Sequence, residues 1–91
     1  MYANNETGVI FPIEEIGHIV KSKGSILHTD AVQAVGKIPI NLSKSTIDLL
    51  TLSGHKLHAP KGVGALFVRK GITFTPFIVG GHQEKNRRGC T

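Results

Sequence analysis

The spacing of apolar positions changes several times along the chain, and each change marks an element. Ile13, Ile16 and Val20, with Ile19 in poorer phase, recur at helical spacing and predict an amphipathic helix. Pro12 stands where a first helical turn accepts proline, and Glu14 and Glu15 follow where negative charge suits a helix N-terminus. Lys21, Lys23 and Gly24 supply the C-terminal stop. Before this helix, Asn4-Asn5-Glu6-Thr7-Gly8 is a turn by composition, with Gly8 able to take a positive φ. After it the period shortens. Residues 25–29 read as a short strand ending at Asp30, and residues 31–34 lead into a loop through Gly36 and Pro39. A polar crossover over 41–46 precedes residues 47–52, a run rich in branched side chains that suits a buried strand. Residues 64–69 form a third strand, and 74–79 an extended segment before Gly80-Gly81.

Strand–helix–strand alternation with short connections predicts an α/β fold, a mainly parallel sheet with crossover helices. Parallel strands present their carboxyl ends at one edge, where such sheets hold ligands. Asp30 and Lys56 then lie at the ends of two successive strands, and Asn5 at the end of a truncated third. Residues distant in sequence converge there.

Composition narrows the function. The 91 residues make one small domain at most, and folding at this size buries only about 60–65% of the chain's surface. With 40% hydrophobic residues the chain is a globular one. Eleven Lys and Arg against six Asp and Glu give +5, which favours an anionic ligand, nucleic acid or an acidic partner. Lys85, Arg87 and Arg88 cluster near the C-terminus, but no aromatic residues interleave them for stacking on bases, so a solvated face is the better reading. The single cysteine excludes an internal disulfide framework and suits a reducing compartment. Neither a signal peptide nor a membrane-spanning apolar run is visible, and a cytoplasmic location is expected. His28 with Asp30, and His55 with His58, raise a metal site, but a third ligand at convincing spacing is lacking. The 60–64 stretch lacks the Walker pattern. Functional-looking loops at both ends point to a piece of something longer.

The remaining chemistry collects in Asn5, Asp30, Gln33, Ser53, His55 and Lys56. A lone lysine in a loop needs no function, and Asp30 also suits the N-cap of a helical turn from Val32 onward. Together the six match what pyridoxal 5′-phosphate requires. Lys56 offers an amine for the aldehyde. Asp30 offers a carboxylate that keeps the ring nitrogen protonated. Ser53 and His55 offer donors for the phosphate, and Asn5 and Gln33 donors for the phenolate oxygen.

Asn4-Asn5-Glu6-Thr7-Gly8, His28-Thr29-Asp30-Ala31-Val32-Gln33, Ser53-Gly54-His55-Lys56 and Pro60-Lys61-Gly62-Val63-Gly64-Ala65-Leu66 resemble, in order and spacing, the cysteine desulfurases of the class V aminotransferase group. Gly80-Gly81-His82-Gln83-Glu84 and Arg87-Arg88 continue a resemblance that covers essentially the whole chain and looks most like the NifS-type branch. It implies the fold-type-I pyridoxal-phosphate architecture, with residues 1–91 the central, incomplete part of the large cofactor-binding domain. Lys56 would be the Schiff-base lysine and Asp30 the partner of the pyridine nitrogen. Asn5 and Gln33 would contact the phenolate oxygen and Ser53 and His55 the phosphate. Thr91 would reach a phosphate across a homodimer. The implied reaction takes sulfur from L-cysteine, leaving L-alanine and a persulfide on an enzyme cysteine, for a sulfur acceptor or iron–sulfur scaffold protein. Two departures stand out. The segments carrying the ring-stacking residue, the substrate-carboxylate arginine and the nucleophilic cysteine fall outside the chain, so the isolated chain is expected to be inactive. Cys90 stands where relatives carry a small residue and is read as incidental. A selenocysteine lyase or another class V aminotransferase is the near alternative. A non-catalytic basic binding module is the distant one, separable by salt-sensitive nucleic-acid binding that survives Lys56→Ala.

Overall fold

The computed structural model describes residues 1–89, and its elements follow the predicted order with shifted boundaries. Helix α1 spans Ile13–Ser22, with Pro12 as its N-cap residue, Glu14 and Glu15 in its first turn and Lys21 in its last. Ile13 and Gly17 are buried, and Ile16 and Val20 pack against the core beside them. Ile19 is 64% exposed, because the 13/16/17/20 stripe leaves it on the outer side. Gly17 sets how closely the helix can sit. A Cβ there would lie 1.8 Å from Thr46 Oγ1 and 3.2 Å from Leu27 Cδ2.

The helix closes with a Schellman arrangement. Gly24, at φ +71°, donates its N–H to the Lys21 carbonyl, and Ser25 donates to the Val20 carbonyl. This turn uses up residues expected to begin a strand, so β1 is only His28–Asp30. The other strands are β2, Leu49–Ser53, and β3, Gly64–Val68, in the sheet order β1-β2-β3.

β1 and β2 run parallel, pairing His28 with Leu49, Thr29 with Leu50 and Asp30 with Thr51. β3 departs from the mainly parallel expectation and runs antiparallel to β2, from Leu49 opposite Val68 to Ser53 opposite Gly64. The cause is the short link 54–63, since a parallel return needs a crossover of about a dozen residues or more. Between β1 and β2 the chain follows the expected loop and polar crossover, without an α-helix. Tight turns from Ala31 and a 3₁₀ turn, Leu42–Lys44, make that connection. Residues 74–79 form no strand, and Phe77 is 98% exposed.

The alternation along the strands gives the sheet two faces. Thr29, Leu50, Leu52 and Phe67 share the face that meets α1 and the core of Ile13, Leu27, Ala31, Ala34 and Ile47. His28, Asp30, Thr51 and Ser53 share the other. No helix among the described residues is long and apolar enough to cross a membrane.

Charged groups close the amino ends of the two parallel strands. Asp48, 1% exposed, accepts from Lys21 Nζ at 2.6 Å and from the Leu27 N–H at 2.9 Å. Burial alone would raise its pKa. The Lys21 and Leu27 hydrogen bonds, with the positive charges of Lys21 and Arg69, outweigh burial and hold it below the usual carboxylate range. Glu14 behaves alike, its burial outweighed by donors from Ser45 and Thr46 and by the charge of His18. Arg69 donates to the carbonyls of Ile47 (2.8 Å), Leu42 (2.7 Å) and Ser45 (3.2 Å), fastening β3 to the entry of β2.

Candidate active site

At the opposite edge, β1 ends in Asp30 beside Thr51, and the parallel β2 runs two residues further to end in Ser53. The chain then enters a 3₁₀ turn, Gly54–Leu57, which carries His55 and Lys56. Two glycines let this turn fold against the start of β3. A Cβ on Gly54 would lie 2.6 Å from Val63 Cγ1, and one on Gly64 would lie 2.8 Å from the Leu52 carbonyl oxygen. Gly54 donates its N–H to the Val63 carbonyl at 2.8 Å, and the turn ends at His58 in a left-handed conformation, φ +64°. Lys56 is half-buried on a turn fixed at both ends. Ser53 Oγ and His55 Nδ1 share a hydrogen bond of 2.7 Å, setting a hydroxyl beside an imidazole at the strand end.

Asp30 is exposed, and its Oδ1 accepts the Val32 N–H at 2.9 Å. It therefore caps the turn that follows, the structural role the sequence offered for it. Within that turn Ala31 and Ala34 are fully buried, and Gln33 between them is half-buried. Asn5 sits exposed in the 4–8 loop. Its neighbour Asn4 organises that loop, accepting from the N–H groups of Glu6 (2.8 Å) and Thr7 (3.2 Å). In place of the expected truncated strand, Ala3 forms a single bridge with Ile10, and the Tyr2 N–H reaches the Asp30 carbonyl at 2.8 Å. The base of the Asn5 loop is thereby tied to the end of β1. Thr91 and Cys90 lie outside the described residues.

One edge of the sheet thus holds Asp30, Ser53, His55 and Lys56, with Gln33 in the turn that Asp30 caps. Asn5 joins only through the attachment at Tyr2. Sequence reasoning passed over Asn4 and Thr51. An Asx residue two positions before an accepted N–H is a readable turn signal; a strand threonine carries none. The groups at this edge suit pyridoxal phosphate chemically: a carboxylate to accept from a cationic ring nitrogen, an amine for an aldehyde, a hydroxyl–imidazole pair for a phosphate.

The family model for class-V aminotransferases matches residues 1–89. The chain belongs to the class-V aminotransferase family. Over its full length it is 68% identical to a cysteine desulfurase of Nostoc sp., of which it covers 23%. It is also similar to two solved structures. One is a NifS-like protein from Rickettsia africae, with a TM-score of 0.90 and 44% identity over 99% of this chain and 25% of that one. The other is SspA in complex with cysteine, with a TM-score of 0.91 and 44% identity over 99% of this chain and 26% of that one. This class-V chain spans about a quarter of the length of the relatives it matches, and its fold is a part of their α/β architecture.

Proposed function

We propose that residues 1–91 are the central part of the pyridoxal-phosphate-binding large domain of a cysteine desulfurase. The observation that supports this reading is that Asp30 ends β1 at the same edge of a parallel strand pair where Ser53, His55 and Lys56 follow at the end of β2. Similarity to the Nostoc desulfurase and to a protein solved with cysteine bound supports L-cysteine as the substrate. When bound, pyridoxal phosphate supplies an electron sink that stabilises negative charge at the substrate α-carbon. Asp30 holds a proton on the ring nitrogen through its negative charge. Ser53 and His55 bind the phosphate, while Asn5 and Gln33 orient the group through its phenolate oxygen. Lys56 Nζ anchors the group and, in its neutral form, moves the α-proton. The products are L-alanine and a sulfur atom carried on a cysteine from outside this chain. That sulfur passes to an acceptor or iron–sulfur scaffold protein in the cytoplasm. The complete enzyme is a homodimer in which Thr91 reaches the phosphate of the other site.

The test uses the full-length protein that carries this chain. Alanine formed from L-cysteine falls at least about a hundred-fold in Lys56→Ala, the scale of losing a positioned acid–base group. A Lys56→Ala protein that keeps its activity overturns the role of Lys56. A protein inert toward L-cysteine overturns the substrate.

A further inference from the structure

The site face of the sheet contains one interaction that the proposed chemistry does not use. His28 Nε2 and Thr51 Oγ1 share a hydrogen bond of 2.7 Å between β1 and β2. Both belong to the immediate surroundings of Asp30. Thr51 is its register partner on the neighbouring strand, and His28 lies two residues back on the same strand face. At the strand rise of about 3.3 Å per residue, His28 and Asp30 are separated by roughly 7 Å along β1, within reach of an imidazole that turns toward a carboxylate. Yet the imidazole turns across to Thr51. Among the described residues the Asp30 carboxylate takes one hydrogen bond, at Oδ1 from Val32.

A carboxylate beside an unoccupied imidazole N–H would be expected to attract it, because a hydrogen bond to an ionised acceptor is roughly twice as strong as a neutral one. Such a contact would compete directly with a ring nitrogen for Asp30. We propose that Thr51 is a positioning residue that captures His28 and so keeps the second oxygen of Asp30 available to the cofactor ring. This inference rests on the cofactor reading above. It assigns Thr51 no contact with cofactor or substrate, and it makes His28 a latent competitor rather than a ligand.

The prediction is a suppression. In the full-length protein loaded with pyridoxal phosphate, Thr51→Val keeps the shape and β-branching of the strand residue but lacks the hydroxyl. Loss of the cofactor, followed by its visible absorbance after dilution into buffer, quickens roughly two- to five-fold, the scale of one cross-strand polar pair. Thr51→Ser, which keeps the hydroxyl, releases the cofactor at the original rate. His28→Ala alone changes little, and Thr51→Val combined with His28→Ala returns to the original rate. A merely structural threonine gives no such rescue, since removing a second side chain would add to the damage. Unchanged release in Thr51→Val, or a defect that His28→Ala does not repair, overturns the proposal while Lys56-dependent cofactor uptake still stands. If the unmodified protein takes up no pyridoxal phosphate through Lys56, the cofactor reading fails and this inference fails with it.

Discussion

Asp30 caps a turn with the same side chain that its proposed cofactor role requires, and the two can be separated by substitution. Its Oδ1 caps the Val32 N–H, which an asparagine can also do, whereas its charge is unique to the carboxylate. Asp30→Asn will therefore keep the turn and weaken cofactor retention, while Asp30→Ala will lose both and destabilise the protein by about 0.5–2 kcal/mol. Absorbance of the bound cofactor together with the thermal midpoint of each variant reads the two losses independently. The placement of Asp30 at the end of β1 and of Lys56 just past β2 was legible in the sequence, because a strand-like run gives way to turn residues at both points. Thr51 was not, since a threonine within a strand looks the same whether it supports a sheet or restrains a neighbour. Asn4 hid behind Asn5, for only the structure shows which of two adjacent amides turns back on the loop.

Among the elements, α1 was the most readable, with caps and stripe where the pattern put them, and its buried glycine the least. A glycine in a helix lowers propensity, so Gly17→Ala would stabilise an isolated helix by about 1 kcal/mol. Here the added methyl would meet Thr46 Oγ1 at 1.8 Å, a clash that a small side-chain adjustment does not clear. Gly17→Ala will instead destabilise the protein by about 1–3 kcal/mol, the usual range for overpacking, measurable by denaturant unfolding. The strand boundaries failed for a related reason. Local pattern cannot see that Ser25 is needed to finish the helix, which moves the start of β1 to His28. Nor does the apolar run 64–69 state its own direction; the short link before it sets β3 antiparallel.

For the whole molecule, fixed charge gathers at the amino ends of the parallel strands, and this predicts how stability responds to acid. Asp48 and Glu14 are both held below their ordinary values in the folded state. A carboxylate with a lowered folded pKa stabilises the fold fully above its unfolded pKa, and that contribution is lost as pH falls through the folded value. Unfolding followed from neutral pH downward will show stability decline once the ordinary carboxylate range is entered, and Asp48→Asn will flatten that decline while lowering stability at neutral pH. The Lys21 ammonium is substantially exposed, so solvent screens the direct ion pair and reduces its contribution to stability. None of this closure was legible in the sequence. Asp48 interrupts an apolar run and invites a reading as a solvated charge, because its three partners come from α1, from the approach to β1 and from the end of β3.

The separation of Asp48, Glu14 and Arg69 from the edge that holds Asp30 and Lys56 bears on how such a chain can diverge. Distant sites without shared partners contribute to stability almost additively. Among the described residues, Ser53 and His55 bond each other, Gly54 bonds Val63 and Ser53 pairs with Gly64 of β3, and no hydrogen bond joins 53–56 to the side chains of Asp48, Glu14 or Arg69. New side chains at the edge of Asp30 and Lys56 can thus be sampled while the fastening at the far end keeps the sheet in register, so that a lineage is free to explore chemistry there with its fold already insured.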